Sequence, residues 1–191
     1  MGRTASFERE AVVRAARGVF WREGFESAAV PDLERATGLG RSSLYHAFGS
    51  KRGLFDAAVQ SYLDEIVRPR LRPLQHEPVP AAALADYLAG LAQAITRADT
   101  RDTAHGCLLI NAAGSPLAHD PELAKVITAY RAELRDAVDR GIRARRPHDA
   151  PAERERTAST VTGLVVGSYA LARIAPDEAV RLLHTARSLV V

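Results

Sequence analysis

Cysteine occurs once in this chain of 191 residues, at Cys107, so no intramolecular disulfide can form and no thiolate metal cluster can be assembled within one chain. The six histidines, His46, His76, His105, His119, His148 and His184, are scattered. They give no pair at metal-ligand spacing beside a suitable carboxylate, so neither a metal nor a cofactor is expected. No apolar run approaches the roughly 20 residues needed to cross a bilayer, and the first residues, MGRTASFEREAVVRAARG, carry charges where a secretory leader needs an apolar segment. The expectation is a soluble, cytoplasmic protein. Lysine is scarce too: Lys51 and Lys125 are the only two among 26 cations, a bias we attribute to a GC-rich genome. The chain also lacks a nucleophile, base and orienting group, or a phosphate-cradling loop, at any recognisable spacing, which argues against an enzyme.

What is present is helical periodicity throughout, with no sustained alternation that would mark strands, so the fold class is all-α, with about nine helices. The first helix places Phe7, Ala11, Val12, Ala15, Ala16, Val19 and Phe20 on one stripe. Arg9, Glu10, Arg14, Arg17 and Glu23 lie opposite, and Gly24 is positioned to stop it. A short helix follows over about 30–37, with Pro31 tolerable in its first turn, and Gly38 can turn the chain sharply in the left-handed conformation. The next, over about 41–47, buries Leu44, Ala47 and Phe48 and turns Arg41, Ser42, Ser43, Tyr45 and His46 outward.

A fourth helix starts near Lys51, repeats Leu54, Phe55, Ala58, Val59, Tyr62, Leu63 and Ile66, and is bent or ended by Pro69 and Pro73. The segment PLQHEPVP, 73–80, reads as a stiff loop. Further helices are expected at about 81–98, 103–114, 121–145, 151–174 and 177–190. The division falls inside the fourth helix, giving a smaller head over 1–52 and a larger body over 53–191.

Two helices, a glycine turn and a third helix with a polar face make a helix-turn-helix pattern, in which the last helix enters the major groove. Residues 1–52 carry nine cations against six anions, so the whole net excess of +3 lies in this region, a modest footprint for binding a polyanion. A polar helix face can equally be a solvated one.

The stretch from Phe20 to Phe55, FWREGFESAAVPDLERATGLGRSSLYHAFGSKRGLF, closely resembles the signature of the TetR family of transcriptional regulators. The end of the first helix is matched by Phe20, Gly24 and Phe25, the scaffold helix by Val30, Asp32, Leu33 and Ala36, and the turn by Gly38 and Leu39. The recognition helix is matched by Arg41, Ser42, Ser43, Leu44, Tyr45, His46 and Phe48, and the tail by Gly49, Ser50, Lys51, Leu54 and Phe55. The detailed likeness covers roughly the first third of the chain.

On this resemblance double-stranded DNA with a palindromic operator is the expected partner. Ser43, Tyr45 and Lys51 are suited to phosphates, Arg41 and Ser42 to base edges, and His46 to either. Against these stand ordinary roles: Tyr45 packing on the scaffold helix, Lys51 complementing a local carboxylate, and Ser42 present because it is small. Two positions depart from the family. Ala28 and Ala29 stand where Thr or Ser usually caps the scaffold helix, a cap worth about 1 kcal/mol, and Gly40 stands where a serine is common.

The resemblance also implies a homodimer built on the last two helices. Gly163 and Gly167 permit close approach there, and Val161, Leu164, Val165, Leu171, Leu182, Leu183, Ala186 and Leu189 supply apolar surface. An intramolecular core is the alternative. A small-molecule effector is implied as well, with Tyr62, Tyr87, His105, Cys107, Asn111, Tyr130 and Tyr169 as candidate pocket residues, each of which can instead be a hydrogen-bonded packing residue. The stretch HGCLLINAA, 105–113, resembles one seen in some family bodies. The expected function is a repressor released by ligand. A transcriptional activator, or a redox or electrophile sensor if Cys107 has a lowered pKa, is the alternative.

Overall fold

Helix α1 spans Gly2–Ser27 and is kinked at Gly24, whose φ of 80° and ψ of 168° only glycine adopts readily. The computed structural model describes residues 2–97 and 105–191, with side chains from residue 9 onward. The side chain of Phe7 in the apolar stripe, and residues 98, 103 and 104 of two expected helices, therefore lie outside the described set. Helices α2 (Val30–Thr37) and α3 (Arg41–Phe48) follow, then α4 (Lys51–Tyr62), a π-helical turn (Leu63–Val67) and α5 (Arg68–Gln75). Then come α6 (Ala83–Thr96), α7 (Leu108–Ala113), a 3-10 turn (Pro116–His119), α8 (Pro121–Arg145), α9 (Pro151–Leu171) and α10 (Pro176–Ser188). The fold is all-α, an N-terminal helix-turn-helix followed by a helical body. No helix among the described residues is long and apolar enough to cross a membrane.

The inward seam of α1 differs from the expected stripe. Val13, Ala16, Arg17, Phe20 and Trp21 are buried at i, i+3, i+4, i+7 and i+8, whereas Ala11 is exposed. Arg17 tolerates burial because its guanidinium donates to Ser61 Oγ at 2.8 Å and pairs with Glu65 at 3.1 Å, so the charge stays satisfied. Ala47 is also exposed, so α3 is anchored by Leu44 with help from partly buried Phe48.

Pro69 and Pro73 do not end the fourth helix. Pro69 lacks an N–H and its ring crowds the carbonyl of Glu65, and the π-turn immediately before it opens the helix enough to accommodate the ring. A nearly continuous rod therefore runs from Lys51 to Gln75, carrying the end of the helix-turn-helix into the body. Around it, α6, α9 and α10 pack as one group and α8 spans α5 and α9. At Gly141 of α8 a Cβ would lie 2.7 Å from the Cβ of Leu84, which sets how closely α8 and α6 approach.

Candidate functional site

The helix-turn-helix is built on a few short contacts. Gly38, at φ 72°, donates its N–H to the Glu34 carbonyl at 2.9 Å and turns the chain between α2 and α3. Neither flanking cap position supplies a side-chain acceptor: Ala29 leaves α2 uncapped and Gly40 leaves α3 uncapped. For α3 the deficit is met from a distance, because Glu34 Oε1 accepts the backbone N–H of Arg41 at 2.6 Å. That carboxylate also lies favourably at the positive end of the α3 dipole. Sequence reasoning missed Glu34, since its partner sits seven residues away across a turn. Replacing Glu34 with alanine is expected to destabilise the protein by about 1 kcal/mol, with glutamine recovering most of the loss, as read by urea denaturation.

Leu44 seats α3, and Arg9 clamps its far end, donating to the Ala47 carbonyl at 2.9 Å with its guanidinium 4.3 Å above the Phe48 ring. Arg41, Ser42, Ser43 and His46 are exposed on the free face. Tyr45 is partly buried, with the Arg41 guanidinium 5.2 Å from its ring centre. Lys51 is partly buried too, its ammonium 3.4 Å from the Glu26 carbonyl and 4.7 Å from the Phe25 ring centre. Its neighbours are thus a carbonyl and a ring rather than a carboxylate. Ser50 caps α4 by accepting the Gly53 N–H at 3.1 Å.

In the body, five of the seven candidate pocket residues converge. The Cys107 thiol donates to the Tyr130 hydroxyl at 3.8 Å, and Tyr62, Tyr87 and Tyr169 complete a phenolic cluster around it. Burial raises every phenol in the group, Tyr169 to about 12. Burial also pushes the Cys107 thiol up, so the lowered pKa that sensing by this cysteine requires is not met. Beside the cluster, between α5 and α6, opens a cavity of about 420 Å³ lined by Arg70 and Tyr87 among others. The remaining two candidates sit apart: Asn111 donates to the His105 carbonyl at 2.8 Å, and Asn111 lines a small recess beneath Phe20, Phe25 and Phe55. Arg70 escapes a reading of the sequence. It stands between Arg68 and Arg72 in an alternating run of cations, 68–72, which reads as a solvated face.

Further contacts tie α1 and the start of α4 to later segments. The Trp21 indole donates to the Gly106 carbonyl at 3.1 Å and meets Tyr62 edge-on at 4.9 Å, and Arg173 donates to the Trp21 carbonyl at 3.0 Å. Glu26 accepts the Leu117 N–H at 3.1 Å. Arg52, at the start of α4, bridges Asp56 at 2.7 Å and Asp120, the N-cap of α8, at 2.9 Å. Its hydrogen bond, with those from Leu123 and Glu122 N–H, lowers the Asp120 carboxyl from 3.8 to about 2. Because the folded pKa lies below the unfolded one, this stabilisation is complete above about pH 5 and is lost as pH falls through 3.8 towards 2. The stability gap between wild type and Asp120→Asn is expected to close over that window in a pH series of denaturation curves.

The expected dimer surface needs correction. Val161, Val165, Leu183 and Ala186 are buried within the single chain's own core, where α9 packs on α10, and offer no surface to a partner. Leu164, Gly167, Leu171 and Leu182 are partly buried and Leu189 is 36% exposed. A Cβ on Gly167 would lie 3.3 Å from Leu182, so that glycine serves α9–α10 packing, while Gly163 faces open space.

Residues 12–58 match the profile described as bacterial regulatory proteins, tetR family. The chain is 32% identical over 142 residues to an uncharacterised HTH-type transcriptional regulator of Bacillus subtilis, YezE, covering 74% of this chain and 72% of that protein. It is 37% identical over 111 residues to the HTH-type transcriptional repressor ComR of Escherichia coli, covering 58% of this chain and about half, 51%, of that relative's length. Among solved structures, a cysteine mutant of the TetR family transcriptional regulator CifR, complexed with 26-bp double-strand operator DNA, superposes with a TM-score of 0.73 at 28% identity, covering 94% of this chain and 95% of that one. On these grounds the chain belongs to the TetR family of bacterial regulatory proteins.

Proposed function

We propose that this protein is a cytoplasmic, homodimeric repressor that holds a palindromic operator through α3 of each subunit and lets go when a small molecule enters the body. The observation that carries the reading is the free face of α3, where Arg41, Ser42, Ser43 and His46 are all exposed on a helix seated by Leu44 and clamped by Arg9. Arg41 and Ser42, near its N-terminus, are assigned to base edges, since a guanidinium can bond guanine O6 and N7 together. Ser43 and Tyr45 are assigned to phosphates, Lys51 to a phosphate at the start of α4, and His46 to either. Residues 1–52 form the head and 53–191 the body in this reading. Repression rather than activation is favoured by the name of the relative ComR, termed a transcriptional repressor.

Two recognition helices read successive major grooves when they stand about 34–36 Å apart, so a ligand that favours a wider spacing releases DNA. A coupling of about 1–3 kcal/mol is enough for a useful switch. The rod from Lys51 to Gln75 joins the end of the head to the cavity wall and is the element through which such a shift would pass. The outer faces of α9 and α10, with Leu164, Leu171 and Leu189, are assigned to the dimer contact. The test is selection from a pool of random duplexes at near-physiological salt. Enrichment of a palindrome with half-sites one or more helical turns apart supports the reading, and equal retention of all sequences refutes it.

A further inference from the structure

The cavity between α5 and α6 combines an apolar wall with two opposite charges at different depths. Pro73, Pro80, Ala83, Gly90 and Leu91 line it, and its volume of about 420 Å³ lies within the range of small-molecule sites. Arg70 is partly buried and makes no ion pair among the described residues. Asp86 lies in the same lining on the exposed side of α6, and the two do not pair with each other. Tyr87 lies in the same lining, and its hydroxyl and the Arg70 guanidinium both hydrogen-bond the buried Tyr169 hydroxyl, which holds the two groups near one another.

A partly buried guanidinium without a counter-ion, beside an apolar surface, is complementary to a carboxylate that can accept two parallel N–H bonds. The exposed Asp86 sets a limit on the ligand's charge, because a second anionic group reaching that rim would meet a like charge. We infer that the effector of this protein is a monoanionic carboxylate with an apolar alkyl or aryl body, its carboxylate held by Arg70 and the Tyr87 hydroxyl and its body lying along Pro73, Ala83, Gly90 and Leu91. This deepens the ligand-release reading above and rests on it for the word effector, while the binding site itself does not depend on DNA.

Gly90 provides a clean way to close the site. Gly90 lines the cavity and a Cβ there meets nothing within 4 Å, so a larger side chain can occupy the space at its mouth without displacing packed atoms. Replacing a helix-interior glycine also removes a conformational cost, so Gly90→Leu is expected to fold at least as well as the wild type.

The experiment is calorimetric titration of the DNA-free protein at neutral pH with hexanoate and phenylacetate, and with their uncharged partners hexanamide and phenylacetamide. Fluorescence of Trp21, the only tryptophan, serves as a second readout because it packs on Tyr62 beside the cluster. The acids are expected to bind at least about tenfold more tightly than the matched amides. Arg70→Gln should erase that preference by lowering acid affinity to the level of the amides, Arg70→Lys should retain part of it, and Gly90→Leu should abolish binding of both. Equal affinity for acid and amide overturns the proposal, as does an acid preference that survives Arg70→Gln. Absence of acid binding up to about 10 mM overturns it as well. Acid binding by a protein that retains no palindrome in the duplex selection would sustain this site and refute the repressor reading, so the two failures are distinct.

Discussion

Gly106→Ala is expected to cost about 4 kcal/mol of unfolding free energy, combining left-handed backbone strain with overpacking of a filled core. Gly106 sits at φ 72° just before α7, and a Cβ there would lie 2.4 Å from the Tyr169 carbonyl oxygen and 3.5 Å from its carbon. Both offending atoms are main chain in the last turn of α9, so no side-chain rotation relieves the clash. Moving the Gly106 segment outward is no escape, because its carbonyl accepts the buried Trp21 indole N–H at 3.1 Å and that bond would be left unmade. Gly18 is the matching control. It lies within α1, and a Cβ there would meet nothing within 4 Å, so Gly18→Ala is expected to raise stability by about 0.5–1 kcal/mol. Urea denaturation of the three proteins decides the matter, and a Gly106→Ala midpoint equal to that of the wild type would refute the close approach to α9.

The second large effect concerns DNA. Arg41→Ala is expected to weaken binding to the selected operator by about 1–3 kcal/mol, roughly 5- to 150-fold, and to relax preference at one base-pair position in each half-site. Arg41 is exposed and its side chain lies against Tyr45, so it is free to swing to a base edge with only that contact to give up. Arg41→Lys should recover little, because an ammonium cannot reproduce the two-pronged contact with guanine. Lys51→Ala should behave differently. Affinity should fall by a similar factor on every sequence, and the slope of log K against log salt should become shallower by about one. Competition binding against operator and scrambled duplexes at several salt concentrations separates the two patterns. A uniform loss for Arg41→Ala would move that residue from base reading to backbone contact.

Much of the architecture is readable in the sequence because it depends on local chemistry. Gly38 and the prolines opening α8, α9 and α10 mark helix ends, and Gly24, expected to stop α1, instead kinks it, through φ preference and missing N–H groups, which act within one turn of chain. Leu44, Leu54 and Phe55 announce the packing of the helix-turn-helix by spacing alone, and the structure buries all three. The convergence of Tyr62, Cys107, Tyr130 and Tyr169 is foreshadowed less directly, by polar-tipped residues on faces that have to point inward.

Where the structure corrects the sequence reading, the cause lies in partners far along the chain. Helical spacing assigns Arg17 to solvent, as suits a guanidinium, and it is buried because Ser61 and Glu65, 44 and 48 residues away, meet it there. Glu34 has the pattern of a surface carboxylate and caps the recognition helix across the turn. Helix α9 is apolar or small on more than one face, so periodicity cannot distinguish residues facing α10 of the same chain from residues facing a partner. Packing decides it, sending Val161 and Val165 inward and leaving Gly163 in the open.

By itself, then, the sequence determined the helical class, the helix-turn-helix and the donor-rich face of α3, because each follows from interactions within a few residues. The tertiary structure alone decided that Arg70 lines a cavity, that Trp21 ties α1 to Gly106, and which half of the α9 surface is spent on the protein's own core. Those outcomes depend on atoms brought together from distant segments, as with Trp21 and Gly106, 85 residues apart, and no local pattern encodes their meeting.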